Sequence, residues 1–316
     1  MSTSTVVLPS VRVALDALVD YAGLFPPARL DMDVAVAEYA RERRGAQAWM
    51  LGRFILPISR LGELLADLAN DAAPLDLSLI VDVDPEPRAW LASLQSRLSD
   101  VARLRDCEPR VRVGALEVLL PAPLSQRETF DAPLGQLHAA LDRAGLSDLP
   151  VYAEPPRGPG WLESLADTLC AAARAKVGAK LRCGGVTAGA FPSVREVAAF
   201  VRAAHGAGVS FKATAGLHHP VRHVDPATGF PMHGFLNLLA AAALAPGLDI
   251  ATLDGAVAEE DPAAFVFDDR GFAWREHHVS IADLEKARKH AFVGYGSCSF
   301  AEPVDDLIAL NVLPAS

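Results

Sequence analysis

Residues 179–220 read AKLRCGGVTAGAFPSVREVAAFVRAAHGAGVSFKATAGLHHP, and the fold is decided here. The stretch parses as a strand, a glycine-rich turn, a helix, a second strand and a turn loaded with histidine. Each strand carries a lysine, Lys180 and Lys212. The chain has only five lysines among its 29 basic residues, so arginine supplies nearly every other cation. Arginine stays charged in a protein, whereas a buried lysine can lose its proton and act as a nucleophile or base. Two lysines inside apolar strands therefore mark a candidate site.

Working outward, strand-like runs alternate with helical patterns. The first strand falls within 17–24, where Asp20, Tyr21 and Gly23 open a turn-rich segment. Helix 33–44 precedes strand 48–57, which carries Arg53. Helix 60–70 leads to the strand ending at Asp82, and helix 90–104 to strand 112–121 with Glu117. Helix 134–144 precedes LPVYAEPP, with Glu154 at its end, and helix 161–175 feeds the opening stretch. Beyond it lie a proline- and glycine-punctuated loop at 224–232, helix 233–245 and a hairpin at 265–274. Helix 281–290, an eighth strand in 292–300 and helix 302–310 complete the chain. Strands spaced by helices of this length imply parallel pairing through right-handed crossovers. Eight units predict a single (β/α)8 barrel over 1–316, with 224–274 as an excursion between strands 7 and 8. An open doubly wound sheet would usually show a glycine-rich phosphate loop after its first strand, and none is present.

Composition excludes several functions. A net charge of −10 argues against a sequence-independent hold on nucleic acid, which needs a basic face. No basic run suggests a membrane surface, and the most apolar run, 236–245, is too short to span a bilayer. The amino terminus lacks the charged head and apolar stretch of a secretory signal. Four cysteines without CxxC spacing fit reduced thiols rather than a zinc ribbon or disulfide framework. The expectation is a cytoplasmic protein whose partner is a small-molecule substrate, with a homo-oligomer left open.

In a barrel, alternate strand residues face the centre and reacting groups sit at carboxyl ends. Lys180 and Arg182 then share the inner face of strand 6. Ser210, Lys212 and Thr214 share that of strand 7, and Tyr152 with Glu154 that of strand 5. Two lysines, an arginine and a carboxylate point at one cavity. They are either a reactive site or a buried ion-pair cluster that plugs the barrel. For a reactive site, a second lysine and an arginine nearby would disfavour the ammonium form of Lys180. A neutral amine can attack a carbonyl to give a Schiff base, an electron sink for an adjacent carbon–carbon bond.

Lys180 followed by LRCGG and Lys212 followed by ATAGL resemble the corresponding segment of deoxyribose-phosphate aldolase and other class I aldolases on TIM barrels. The resemblance covers about forty residues. It implies Lys180 as the Schiff-base nucleophile and Lys212 as the neighbour that depresses its pKa, with no cofactor. Glu117 is a candidate for the acidic partner of the lysines. Arg182 and the His218-His219 pair do not belong to that pattern.

Other residues leave alternatives open. His218, His219, His223 and His233 cluster after strand 7. His218 and His219 are candidate general acids or bases. His218, His219 and His233 with Glu154 are an alternative ligand set for a divalent metal such as zinc. Gly296, Ser297 and Ser299 after strand 8, with Thr214 and Gly216 after strand 7, occupy the usual phosphate position of such barrels. Arg53 or Arg222 would clamp an anion, and Tyr21 either lines the mouth or packs in the core. Three readings follow. One is a lyase or isomerase acting through an imine on a small phosphorylated or carboxylated carbonyl compound. The others are a metal-dependent hydrolase or isomerase, and a barrel that binds a metabolite without turning it over.

Overall fold

The computed structural model describes residues 7–68, 74–122 and 130–314. Eight parallel strands close into a ring: β1 (Val19–Tyr21), β2 (Leu51–Pro57), β3 (Leu75–Val81), β4 (Val111–Leu119), β5 (Val151–Glu154), β6 (Gly178–Arg182), β7 (Phe211–Thr214) and, after an insertion, β13 (Phe292–Ser297). The ring runs β1 to β7 in sequence order, and β13 sits between β7 and β1. The predicted (β/α)8 barrel is therefore observed.

Helices cover the ring: α1 (Pro9–Leu15), α2 (Met32–Glu42), α3 (Leu61–Asp67), α4 (Pro87–Cys107), α5 (Asp131–Ala144), α6 (Trp161–Arg174) and α7 (Val194–Ala207). The end of the expected helix 60–70 lies outside the described residues. Between β7 and β13 come the two-residue strands β8 (His223–Val224) and β9 (Pro231–Met232), α8 (Phe235–Leu244) and α9 (Ile250–Ala258). An antiparallel sheet of β10 (Phe265–Asp268), β11 (Gly271–Trp274) and β12 (His277–Ser280) follows, then α10 (Ile281–His290); α11 (Ala301–Ala309) comes after β13. The sequence reading missed α9 and β12 and took 224–232 as loop. Among the described residues, no helix is long and apolar enough to cross a membrane.

Helix α7 shows why the local sequence folds this way. Ser193 accepts from the Glu196 backbone N–H at 3.2 Å while Glu196 accepts from the Ser193 N–H at 2.7 Å, a reciprocal cap worth about 1 kcal/mol. Val197, Phe200, Val201 and Ala204 recur at helical spacing and are all buried. Full burial of each large side chain among them is worth about 1.5–3 kcal/mol. Gly208 ends the helix with φ +65°, a left-handed turn that glycine adopts without strain.

Strand alternation sorts side chains as the sequence predicts. Phe211 faces outward and packs on Phe200 and Phe292, and Tyr21, Tyr39 and Phe54 form a second aromatic cluster under α2. The intervening residues turn inward. Pairing puts Lys180 beside Lys212 and Arg182 beside Thr214 on adjacent strands, and Asp20 beside Gly296 at the seam between β1 and β13.

Candidate active site

Six strands contribute to one buried network. Lys212 Nζ, from β7, donates to Asp20 Oδ2 of β1 at 2.5 Å, to Glu117 Oε1 of β4 at 2.6 Å and to Ser78 Oγ of β3 at 3.1 Å. An ammonium has three donors, and all three are used. Ser78 donates to the same Glu117 oxygen at 2.6 Å. The other oxygen, Glu117 Oε2, lies 2.7 Å from Lys180 Nζ on β6. Glu154 Oε2 of β5 lies 3.2 Å from the same nitrogen, and its Oε1 accepts from Arg182 Nε at 2.7 Å. The carboxylate and ammonium groups of this chain are almost wholly buried; Arg182 alone reaches out, its side chain 48% exposed.

Gly52 makes the Asp20 position available. A Cβ there would stand 2.2 Å from Asp20 Oδ1, which accepts from the Arg53 backbone N–H at 2.5 Å. Only a glycine lets the carboxylate lie against β2.

The charge states follow from this packing. Burial alone would lower both lysine pKa values, but the Glu117 carboxylate with Glu154 at Lys180, and Asp20 with Glu117 at Lys212, reverse the sign. Both amines are held above the ordinary lysine value. Burial alone would likewise raise Glu117 and Glu154; the charges of Lys180 with Lys212, and of Lys180 with Arg182, hold the two carboxyls below their usual range. This corrects the expectation that a second lysine depresses Lys180. The two strands do set the lysines side by side, yet Glu117 bridges them.

The network is not sealed. Glu117, Glu154, Lys180 and Arg182 line a cavity of about 460 Å³ together with Asp82, Leu119, Arg157, Trp161, Gly189 and Ala190. Every one of these residues lies on or after the carboxyl half of β3, β4, β5 or β6. Lys212 is not part of the lining, so Lys180 is the amine that faces free space.

The remaining candidates fall elsewhere. His218 Nδ1 is 3.1 Å from Glu302 and beside the Cys298 sulfur, and His219 Nδ1 is 2.6 Å from Asp306, so both histidines engage α11 or its start. His233 is fully buried, its Nε2 2.8 Å from the Pro192 carbonyl and its Nδ1 3.3 Å from Arg222. Burial pulls its pKa down to about 4, so it is neutral, donating from Nε2 and accepting at Nδ1. The alternative metal set of His218, His219, His233 and Glu154 is thus not brought together. Among the described residues, no group of three or more His, Cys, Asp or Glu side chains is placed to hold an ion.

Arg222 is committed to His233, to Asn237 through its backbone N–H and to Glu260 at 3.6 Å, not to an anion clamp at the cavity. Arg53 presses on Gly114 in the amino-terminal half of β4, away from the carboxyl ends. Tyr21 packs in the aromatic core. Gly216, with φ +67°, brings the turn after β7 against Cys183 and Gly184, while Gly296 makes room for Ile55. Ser297 donates to the Ser299 carbonyl, and Ser299 Oγ accepts from the Glu302 N–H that starts α11. None of these, nor Thr214, lines the cavity. The sequence reading missed Asp20, Ser78, Arg157 and Trp161. For the first two the signal was present: Asp20 is the one polar residue between Val19 and Tyr21, and Ser78 sits between Leu77 and Leu79 on the inward phase of β3.

No family model matches the chain, and the curated proteins give no match to it. Among solved structures it is similar to a deoxyribose phosphate aldolase from Aeropyrum pernix, described as having a unique tetrameric structure. The two are 14% identical with a TM-score of 0.48, over 95% of this chain and 93% of that one.

Proposed function

We propose that this barrel is an enzyme that forms an imine between Lys180 and a small carbonyl compound, and uses it to break, make or shift an adjacent bond. One observation carries the reading. A buried lysine shared between two carboxylates opens onto a cavity of about 460 Å³ at the carboxyl ends of the strands. A plug that merely filled the barrel would be satisfied without free space beside its amine, and an apolar filling would cost less.

The chemistry follows from the partners. Lys180 passes a proton to Glu154 or Glu117, and the neutral amine adds to the carbonyl carbon. Water leaves with the carbonyl oxygen, and the resulting iminium sits between two carboxylates that stabilise its charge. Cleavage of the bond one carbon away sends its electron pair into the iminium, while the hydroxyl proton of the departing fragment goes to a carboxylate. Protonation of the enamine and hydrolysis return the amine. Lys212 stays an ammonium throughout and holds Glu117 in place.

Small aldehydes and oxo acids with borohydride test this. The expected result is a reduced adduct on Lys180, absent in Lys180→Met. An unmodified protein across the panel overturns the imine. Ligand-induced thermal stabilisation that survives Lys180→Met with no product would leave a metabolite-binding barrel instead.

A further inference from the structure

Two carboxylates face Lys180, and the charges behind them differ. Glu117 is saturated. Its Oε1 accepts from Lys212 and from Ser78, both at 2.6 Å, and its Oε2 lies 2.7 Å from Lys180 Nζ. The Lys212 side chain is only 2% exposed, so that ammonium is cut off from solvent. Glu154 is placed otherwise. Its Oε2 lies 3.2 Å from Lys180 Nζ, and its second cation is Arg182, which donates from Nε to Oε1 at 2.7 Å. The Arg182 side chain is 48% exposed, and Glu154 and Arg182 both line the cavity.

A proton arriving on Glu154 therefore frees a guanidinium that water can solvate. A proton on Glu117 would instead weaken the bonds from Ser78 and from a buried ammonium, and a charge-assisted bond is about twice as strong as a neutral one. We infer that Glu154 is the residue that moves protons at this site, while Glu117 stays a carboxylate throughout as the fixed counter-charge of both amines. Arg182 is a positioning residue, whose hold on Oε1 leaves Oε2 facing Lys180. This rests on the imine reading of Lys180 and decides which of its two carboxylates serves it.

The protons balance as follows. Glu154 Oε2 takes one from Lys180, and the neutral amine adds to the carbonyl carbon. A second proton passes from nitrogen to oxygen in the adduct. Glu154 returns the first to the departing hydroxyl, so both protons lost from nitrogen leave with the carbonyl oxygen as water. The emptied carboxylate then takes a proton from the carbon beside the iminium, and that C–H electron pair becomes the enamine double bond.

The test follows acetone and pyruvate in heavy water. Cyanoborohydride gives the rate of mass gain at Lys180, which reads iminium formed. Without reductant, proton NMR gives the rate of deuterium entry beside the carbonyl, which reads proton transfer at carbon. Glu154→Gln should lower the ratio of exchange to trapping roughly 100- to 10,000-fold, the usual share of general acid–base catalysis. Glu154→Asp should be intermediate, and formate should restore exchange in Glu154→Ala by entering the cavity of about 460 Å³. Glu117→Gln should keep the parental ratio per folded molecule; should it fail to fold, Glu154→Gln and the formate rescue decide. Arg182→Gln should move the acid limb of the ratio to higher pH, because Glu154 loses a neighbouring cation. A role in folding alone would not move that limb. An unchanged ratio in Glu154→Gln, a larger fall in Glu117→Gln, or trapping without exchange in the parent overturns the assignment and leaves the imine standing. Should the parent trap no carbonyl at all, the imine reading fails and the role of Glu154 falls with it.

Discussion

Replacing Glu117 by Gln removes one negative charge and almost no volume from the centre of the network. The two carboxylate oxygens stand 2.6 Å from Lys212 and 2.7 Å from Lys180. At an effective dielectric constant of about 20, each contact is worth about 6 kcal/mol before desolvation is subtracted. Much of that is spent on burying the charges, and breaking a buried pair by removing one partner typically costs about 3–5 kcal/mol. The amide would also point N–H groups at one ammonium while accepting from the other. The variant should therefore unfold in urea with a stability about 3–5 kcal/mol below the parent at pH 7. Its pH dependence is the sharper readout. In the parent both lysine pKa values are raised, so their stabilisation is fully present below the unfolded value near 10.4 and is lost only as pH rises through the folded values. In the variant, burial prevails over weakened attraction and at least one lysine drops below 10.4. The unfolded state then binds more protons, and stability rises with pH from that lowered value up to about 10. A flat profile with parental stability would refute the claim that Glu117 holds the two amines charged.

Four further outcomes follow from the same contacts. Trapping at Lys180 in the parent should speed up about tenfold per pH unit from 7 to 10, because the amine is held above its ordinary pKa; a plateau near neutrality would contradict this. Glu117 and Glu154 have lowered pKa values, so their stabilisation is complete above about pH 4.3 and lost as pH falls through the folded values; urea titrations at pH 5, 4 and 3 should show the decline. His233, held at about 4, contributes stability that is present above pH 6.5 and lost down to about 4, some 3 kcal/mol in all. In His233→Gln that slope should flatten. Gly52→Ala should push the Asp20 carboxylate off Lys212 and lower the melting temperature, with a loss of about 1–3 kcal/mol by denaturant; an unchanged melt would mean that β2 gives way instead.

The barrel was legible because alternation is a local property. Lys180 and Arg182 on one strand, Lys212 on the next and Glu154 on a third each show their inward phase within a few residues. Asp20 was legible by the same rule and overlooked, because its partner Lys212 lies 192 residues away and nothing local announces the pair. The histidines after β7 misled for a physical reason. Their partners Glu302 and Asp306 belong to α11, and where that helix packs is a tertiary matter. Strand β12 reads HHVS, a polar string that becomes a strand only by pairing with β11. Helix α9 carries Thr252 and Gly255 inside a short run, which blurs its period. Arg157 and Trp161 gave no sequence signal, since they reach the cavity wall from beyond the end of β5.

The seam between β1 and β13 also sets an order of events during synthesis. The amino-terminal β1 is three residues long and is flanked by β2 and by a strand that begins at Phe292. Helix α1 beside it leans on α10 and on the late three-stranded sheet, to which Ser10 donates at 2.7 Å. A ribosome must therefore release the chain through the strand that begins at Phe292 before these early segments find their places. Asp20 is locked beside Lys212 only when that strand arrives, so a nascent chain gains this one buried carboxylate after Glu117, Glu154 and both lysines have already been made.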